Sequence, residues 1–143
     1  MRSQTLMLLF CSILAISVLN CKSDLVPAKL PDLGADPYAY CNLDDDRRLV
    51  VTVQNRGRAD APASKTRIKF FTTGGEVDMD LDTPKVPAGT SVELTPHIDI
   101  PPDCTSPIWE CKFEIIVDVN DDVDELNEGN NTVTGKCGEA STS

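Results

Sequence analysis

From Tyr38 onward the apolar residues of this chain recur at every second position, the period of a strand with one buried face. Leu49, Val51 and Val53 alternate with Val50, Thr52 and Gln54, and Ile68 and Phe70 with Arg67, Lys69 and Phe71. Val77, Met79 and Leu81 alternate with Glu76, Asp78 and Asp80, the cleanest in–out pattern in the chain. Val92 and Leu94 face away from Ser91 and Glu93; Phe113, Ile115, Val117 and Val119 alternate with Glu114, Ile116 and Asp118; Val133 sits between Thr132 and Thr134. Turn-forming residues separate these runs: Asn55-Arg56-Gly57, Gly74-Gly75, Pro87-Ala88-Gly89, Pro101-Pro102-Asp103 and the Asn- and Asp-rich stretch 120–131. No segment carries an apolar stripe at helical spacing. Six or seven short strands in about 100 residues predict an all-β fold, two sheets packed as a sandwich. The expected core is Leu49, Val51, Val53, Ile68, Phe70, Val77, Met79, Val92, Leu94, Phe113, Ile115 and Val117.

The N-terminus belongs to a different physical class. Arg2 is the only charge before Lys22, and the apolar run from Leu6 to Leu19 between them has the form of a secretory signal, assigned to residues 1–20. Ser12, Ser17 and Asn20 interrupt it, so it makes a poor membrane-spanning helix. Val18-Leu19-Asn20-Cys21 resembles a bacterial lipobox, with Asn20 where that motif has a small residue, which makes Cys21 the candidate lipidation site. Ordinary cleavage nearby, leaving Cys21 a free thiol, is the alternative. Residues 21–37 contain Pro27, Pro31, Pro37 and Gly34 without periodicity and read as a tether; residues 38–138 form the domain and 139–143 a disordered tail.

Charge and cysteine use narrow the function. The whole chain carries a net charge of −10. Such a surface repels phosphate backbones and presents no basic stripe, which argues against nucleic acid as a partner. With Cys11 in the signal and Cys21 at its end, Cys41, Cys104, Cys111 and Cys137 remain. An even set in an exported chain reads as two disulfides, with three connectivities open. None of the spacings is Cys-x-x-Cys, and His97 is the only histidine, placed by the pattern in a surface strand, so a zinc site is not expected.

Four segments together carry a family resemblance. They are Asn55-Arg56-Gly57-Arg58-Ala59-Asp60-Ala61, Pro87-Ala88-Gly89-Thr90-Ser91, Val117-Asp118 and Val123-Asp124-Glu125-Leu126-Asn127-Glu128-Gly129-Asn130-Asn131. Over residues 38–138 the chain resembles the CARDB family, the cell-adhesion-related domain found in bacteria. The resemblance implies a seven-stranded immunoglobulin-like sandwich and a non-catalytic module of surface or secreted proteins. In such a sandwich the first and last strands run near one another, which pairs Cys41 with Cys137 and leaves Cys104 with Cys111.

Three constellations are candidates for function. Asp118, Asn120, Asp122 and Asp124, within a stretch running on to Glu128, supply the hard oxygen ligands that calcium takes. The same residue types also hydrogen-bond turn backbone, with Glu125 and Glu128 capping a single helical turn and Val123 and Leu126 tucked beneath it. Trp109, in the loop between Cys104 and Cys111, is a candidate binding residue, since tryptophan is enriched at interaction hot spots, or else a cap on the core. For catalysis His97 is the only imidazole, and no nucleophile elbow, His-Glu-x-x-His or phosphate-cradling loop is present. The sequence therefore predicts an exported, non-catalytic binding or adhesion-type module without a cofactor. It is anchored to a membrane through Cys21 or secreted, and contacts a protein or glycan. The alternative is a structural spacer or calcium-stabilised envelope protein with no dedicated partner.

Overall fold

Buried and exposed side chains alternate along each strand of the protein, and two sheets close on the buried sets. The structure is a computed structural model describing residues 29–36, 41–102 and 111–137. Strands β1 (Leu33–Ala35), β2 (Thr52–Asn55) and β5 (Ser91–Glu93) form one sheet in the order β1-β2-β5. Strands β3 (Ser64–Thr72), β4 (Gly75–Thr83), β6 (Cys111–Ile116) and β7 (Thr132–Cys137) form the other in the order β4-β3-β6-β7. All pairings are antiparallel. This is the expected seven-stranded immunoglobulin-like sandwich. None of the described residues forms a helix long and apolar enough to cross a membrane.

The core lies where the alternation placed it, with one exception that geometry explains. Leu49, Val51, Val53, Ile68, Phe70, Leu94, Phe113, Ile115 and Val117 are buried, and Met79 and Val92 pack against them half-buried. Phe70 and Phe113 meet edge to face across the β3–β6 register, ring centroids 6.5 Å apart. Val77, expected in the core, is 39% exposed. It pairs with Phe70 near the start of β4. The nine residues of β4 span about 30 Å, longer than the four- and three-residue strands β2 and β5 of the other sheet, and its burial falls towards the Val77 end. Leu81, further along the same face, is buried instead.

The outer face of the β3–β4 hairpin is zipped by charge. The register sets Lys65 opposite Asp82, Arg67 opposite Asp80 and Lys69 opposite Asp78. Lys65 Nζ lies 2.7 Å from Asp82, and Arg67 grips both oxygens of Asp80 at 2.6 and 2.8 Å. Exposed pairs of this kind each contribute less than about 1 kcal/mol. Their larger effect is on register, because a one-residue slip would turn every charge inward.

The N-terminal boundary needs correction. Leu33–Ala35, inside the segment 21–37 read as a tether, is strand β1, fully buried and paired with β2 from Leu33↔Asn55 to Ala35↔Val53. The sandwich thus begins before residue 38. Cys41 and Cys137 are joined by a disulfide, Cα atoms 4.8 Å apart, closing a loop with a sequence separation of 96. Cys111 is also disulfide-bonded, and Cys104, its expected partner, lies outside the described residues. So do the signal segment, Cys21, Trp109 and the tail 139–143.

Truncating Phe70 to Ala is expected to cost about 3–5 kcal/mol in urea unfolding, and Val77→Ala less than about 1 kcal/mol. Equal costs would mean that β4 is covered along its whole inner face.

Candidate functional site

The sequence segments that stand out as motifs converge on one place in the fold, the N-terminal segment Leu30–Ala35. Asn55 is the first point of attachment. Its side chain is wholly buried and every hydrogen-bonding position of its amide is filled. Oδ1 accepts from Gly57 N at 2.9 Å and Asp32 N at 3.1 Å; Nδ2 donates to Ala59 O at 2.8 Å and Val86 O at 2.9 Å. Its backbone binds the 87–90 turn, through Asn55 N to Thr90 O and Gly89 N to Asn55 O. The next residues clamp the N-terminal segment directly, Arg56 N donating to Asp32 O and Arg58 N to Leu30 O. Gly57 is required by close approach. A Cβ there would stand 2.4 Å from Leu30 O and 2.5 Å from Asp32 N, inside contact distance of a backbone that is already hydrogen-bonded.

The acidic stretch is the second point of attachment. Glu125, buried, accepts from Leu33 N on one carboxylate oxygen and from Asn131 Nδ2 on the other, at 3.1 Å. Leu126 N donates to Pro31 O, and Asn130 Nδ2 to Asp32 Oδ1 at 2.7 Å. Glu128 accepts from Glu125 N, and Asn127 caps the 3-10 turn Glu128–Asn130 by accepting from Gly129 N. The amide oxygens of Asn130 and Asn131 are buried without a partner; the loop uses the nitrogens of both. Val123 is buried as expected, but Leu126 is 60% exposed, its backbone rather than its side chain holding the loop.

The expected calcium ligands are not assembled. Asp118 is buried in a left-handed conformation (φ 49°) and its carboxylate turns inward to accept from Asp122 N and Val123 N. Asn120, Asp122 and Asp124 are exposed. No group of three or more His, Cys, Asp or Glu among the described residues is placed to hold a metal ion. Burial pushes the Asp118 and Glu125 carboxyls above their ordinary range against the backbone bonds that favour their charged forms, and neighbouring acids add to the rise. These carboxylates act as turn acceptors.

Two other features complete the described surface. His97 is a loop residue, not the strand residue expected, its Nδ1 2.7 Å from Asp44 and its Nε2 2.8 Å from Glu93. Hydrogen bonding to Asp44, then to Glu93, favours the protonated ring, and both nitrogens are engaged by a carboxylate. A cavity of about 380 Å³ opens between the sheets, lined chiefly by Ala35, Leu49, Val51, Phe113, Ile115 and Val133. Asp36 is the one acidic residue of its lining, and Cys41 there is committed to its disulfide.

Both attachments act on the same strand, which makes their loss testable. Asn55→Ala orphans the buried Ala59 and Val86 carbonyls and the Asp32 and Gly57 amides, and is expected to cost about 2–4 kcal/mol in urea unfolding. Glu125→Ala orphans the Leu33 amide and is expected to fall in the same range. The double variant should lose less than the sum, because once β1 is released the second attachment has nothing to hold. Strict additivity would refute the shared strand.

The family model CARDB matches residues 30–135. The match begins at Leu30, the first residue gripped from the motif around Gly57. Among solved structures the chain is similar to the CARDB domain of the PF1109 protein from Pyrococcus furiosus, solved in complex with di-metal ions. That similarity has 21% identity and a TM-score of 0.41, covering 77% of this chain and 94% of that one. No curated protein gives a significant match. By a family match across most of its length, the chain belongs to the CARDB family, whose domains are adhesion-like modules.

Proposed function

We propose that this protein is an exported, non-catalytic binding module of the cell envelope that contacts a protein or glycan through a loop end of its sandwich. The observation that carries the reading is the family match over residues 30–135, which takes in all seven strands except the last two residues of β7. Two physical features support it. The Cys41–Cys137 disulfide, with Cys111 also bonded, belongs to an oxidising compartment. The polar groups of the motif segments are turned inward to hold β1, and both nitrogens of the sole imidazole are bonded to carboxylates, which supports binding over turnover. Export through residues 1–20 and lipid attachment at Cys21 are parts of this proposal, as is Trp109 as the contact residue.

Intact mass of protein from membrane and soluble fractions tests the anchor. The expected species begins at Cys21, carries diacylglycerol and acyl groups, and gains four hydrogens on reduction; a soluble unlipidated chain would turn the reading to a freely secreted binder. Trp109→Ala is expected to lower partner or glycan recovery at least tenfold with an unchanged melting midpoint, and unchanged recovery removes Trp109 from the site. Millimolar calcium is expected to leave that midpoint in place, because a ligand of the native state must raise it and the acidic turn presents no assembled ligand set.

A further inference from the structure

We infer that His97, Asp44 and Glu93 form a pH-operated clasp that holds the 43–48 turn against β5 and, when released, loosens one wall of the interior cavity.

Regular pairing in the three-stranded sheet stops at Thr52↔Glu93. Beyond it the sheet continues only as single bridges, Leu43↔Leu49 and Leu49↔Ile98. Each bridge carries two backbone bonds, Leu49 N to Ile98 O and Ile98 N to Leu49 O in one and Val50 N to Asn42 O and Asp44 N to Arg48 O in the other, few for an end that must stay closed. The clasp adds side-chain bonds there. Asp44 organises the turn, accepting from Asp46 N at 3.0 Å and Arg48 N at 2.8 Å and pairing with the Arg48 guanidinium. The carboxylate oxygen that pairs with Arg48, Oδ2, also meets His97 Nδ1, and the other ring nitrogen meets Glu93 at the end of β5. One ring thus joins the turn to the strand.

Only the imidazolium can make both contacts. A neutral ring has one N–H, and its remaining lone pair would face a carboxylate oxygen at 2.7 or 2.8 Å. The charged groups around the ring are Asp44 and Glu93 in contact, Arg48 and Asp46 beyond Asp44, and Asp99 close to Arg48. The acids outnumber the lone Arg48. Hydrogen bonding to Asp44, then to Glu93, raises the His97 pKa above its ordinary value near 6.5. A raised pKa means that the stabilisation is fully present below about pH 6.5 and is lost as pH climbs through the folded value. The clasp therefore opens towards alkaline pH. Asn42, Leu49 and Val50, which flank the turn, also line the cavity, so its release reaches that space.

His97 is the only histidine in the chain, so its ring resonances need no assignment. The test is an NMR titration of the full domain from pH 5 to 10, with amide exchange at Leu49 and Ile98 corrected for intrinsic rate. The expected result is a His97 pKa above 6.5 and faster corrected exchange at both amides as pH passes it, about tenfold for each pH unit of separation. Ile68 and Phe113 in the other sheet should stay flat. Glu93→Gln should lower the pKa and shrink the response while leaving the fold measurable even where His97→Gln does not fold. A pKa at or below 6.5, or exchange at Leu49 and Ile98 that is flat through the titration, would overturn the clasp.

Discussion

A buried amide with four hydrogen-bonding positions can stay in an apolar interior only if all four are met, and Asn55 meets them from three different stretches of chain. Gly57 and Ala59 follow it in sequence, Asp32 precedes β1, and Val86 follows β4. The amide is fixed by the same bonds it satisfies, so the edge strand β1, the crossing at Ala61↔Val86 and the 87–90 turn are positioned together. A hydrophobic contact could not do this, because it has no direction. The neighbouring Gly57 completes the arrangement by letting the backbone at Leu30–Asp32 pass within what would be contact distance of a side chain.

The acidic loop repeats the device from the other sheet. Glu125 reaches from the β6–β7 connection to the amide of Leu33, so a three-residue strand and the residue before it receive side-chain bonds from both sheets of the sandwich. Three backbone pairs alone would leave such a strand marginal. This gives the buried carboxylate a purpose that offsets its desolvation. It also explains why a run of Asp, Glu and Asn can look like an ion site and not be one: the oxygens accept from backbone amides two to five residues away or on β1, and from the side-chain amide of Asn131.

Much of the fold was legible because period two survives wherever a strand has one buried face. Leu49 through Asn55, Ser64 through Phe70 and Cys111 through Val117 alternate in burial as their side chains alternate in polarity. Two failures have physical causes. Leu33-Gly34-Ala35 is too short to show a period, and its neighbours Pro31 and Pro37 look like linker punctuation; only the residues that grip it, far along the chain, mark it as a strand. Val77 has the right parity but is exposed at the open end of the long β4, and parity reports which side of a sheet a residue occupies, not whether anything covers that side. His97 was misplaced for a related reason: no local pattern reveals that Asp44, 53 residues earlier, will meet its ring.

The candidate site was less legible than the fold, and the division of labour within the domain explains why. The residues that make the family recognisable, Asn55, Gly57, Glu125, Asn127, Asn130 and Asn131, are occupied in holding the chain together. A motif of this kind reports the fold it maintains and carries no imprint of a ligand. Recognition in a sandwich falls to the loops at its ends, which can vary because the scaffold does not depend on them. The exposed turn residues at 43–48 make the point from the opposite side. Asp44, Asp46 and Arg48 use their charges among themselves and, through Asp44, on His97, so the charge this turn presents depends on how that cluster is protonated. A sandwich whose motifs face inward leaves the chemistry of its loops as the only variable by which one such module differs from another.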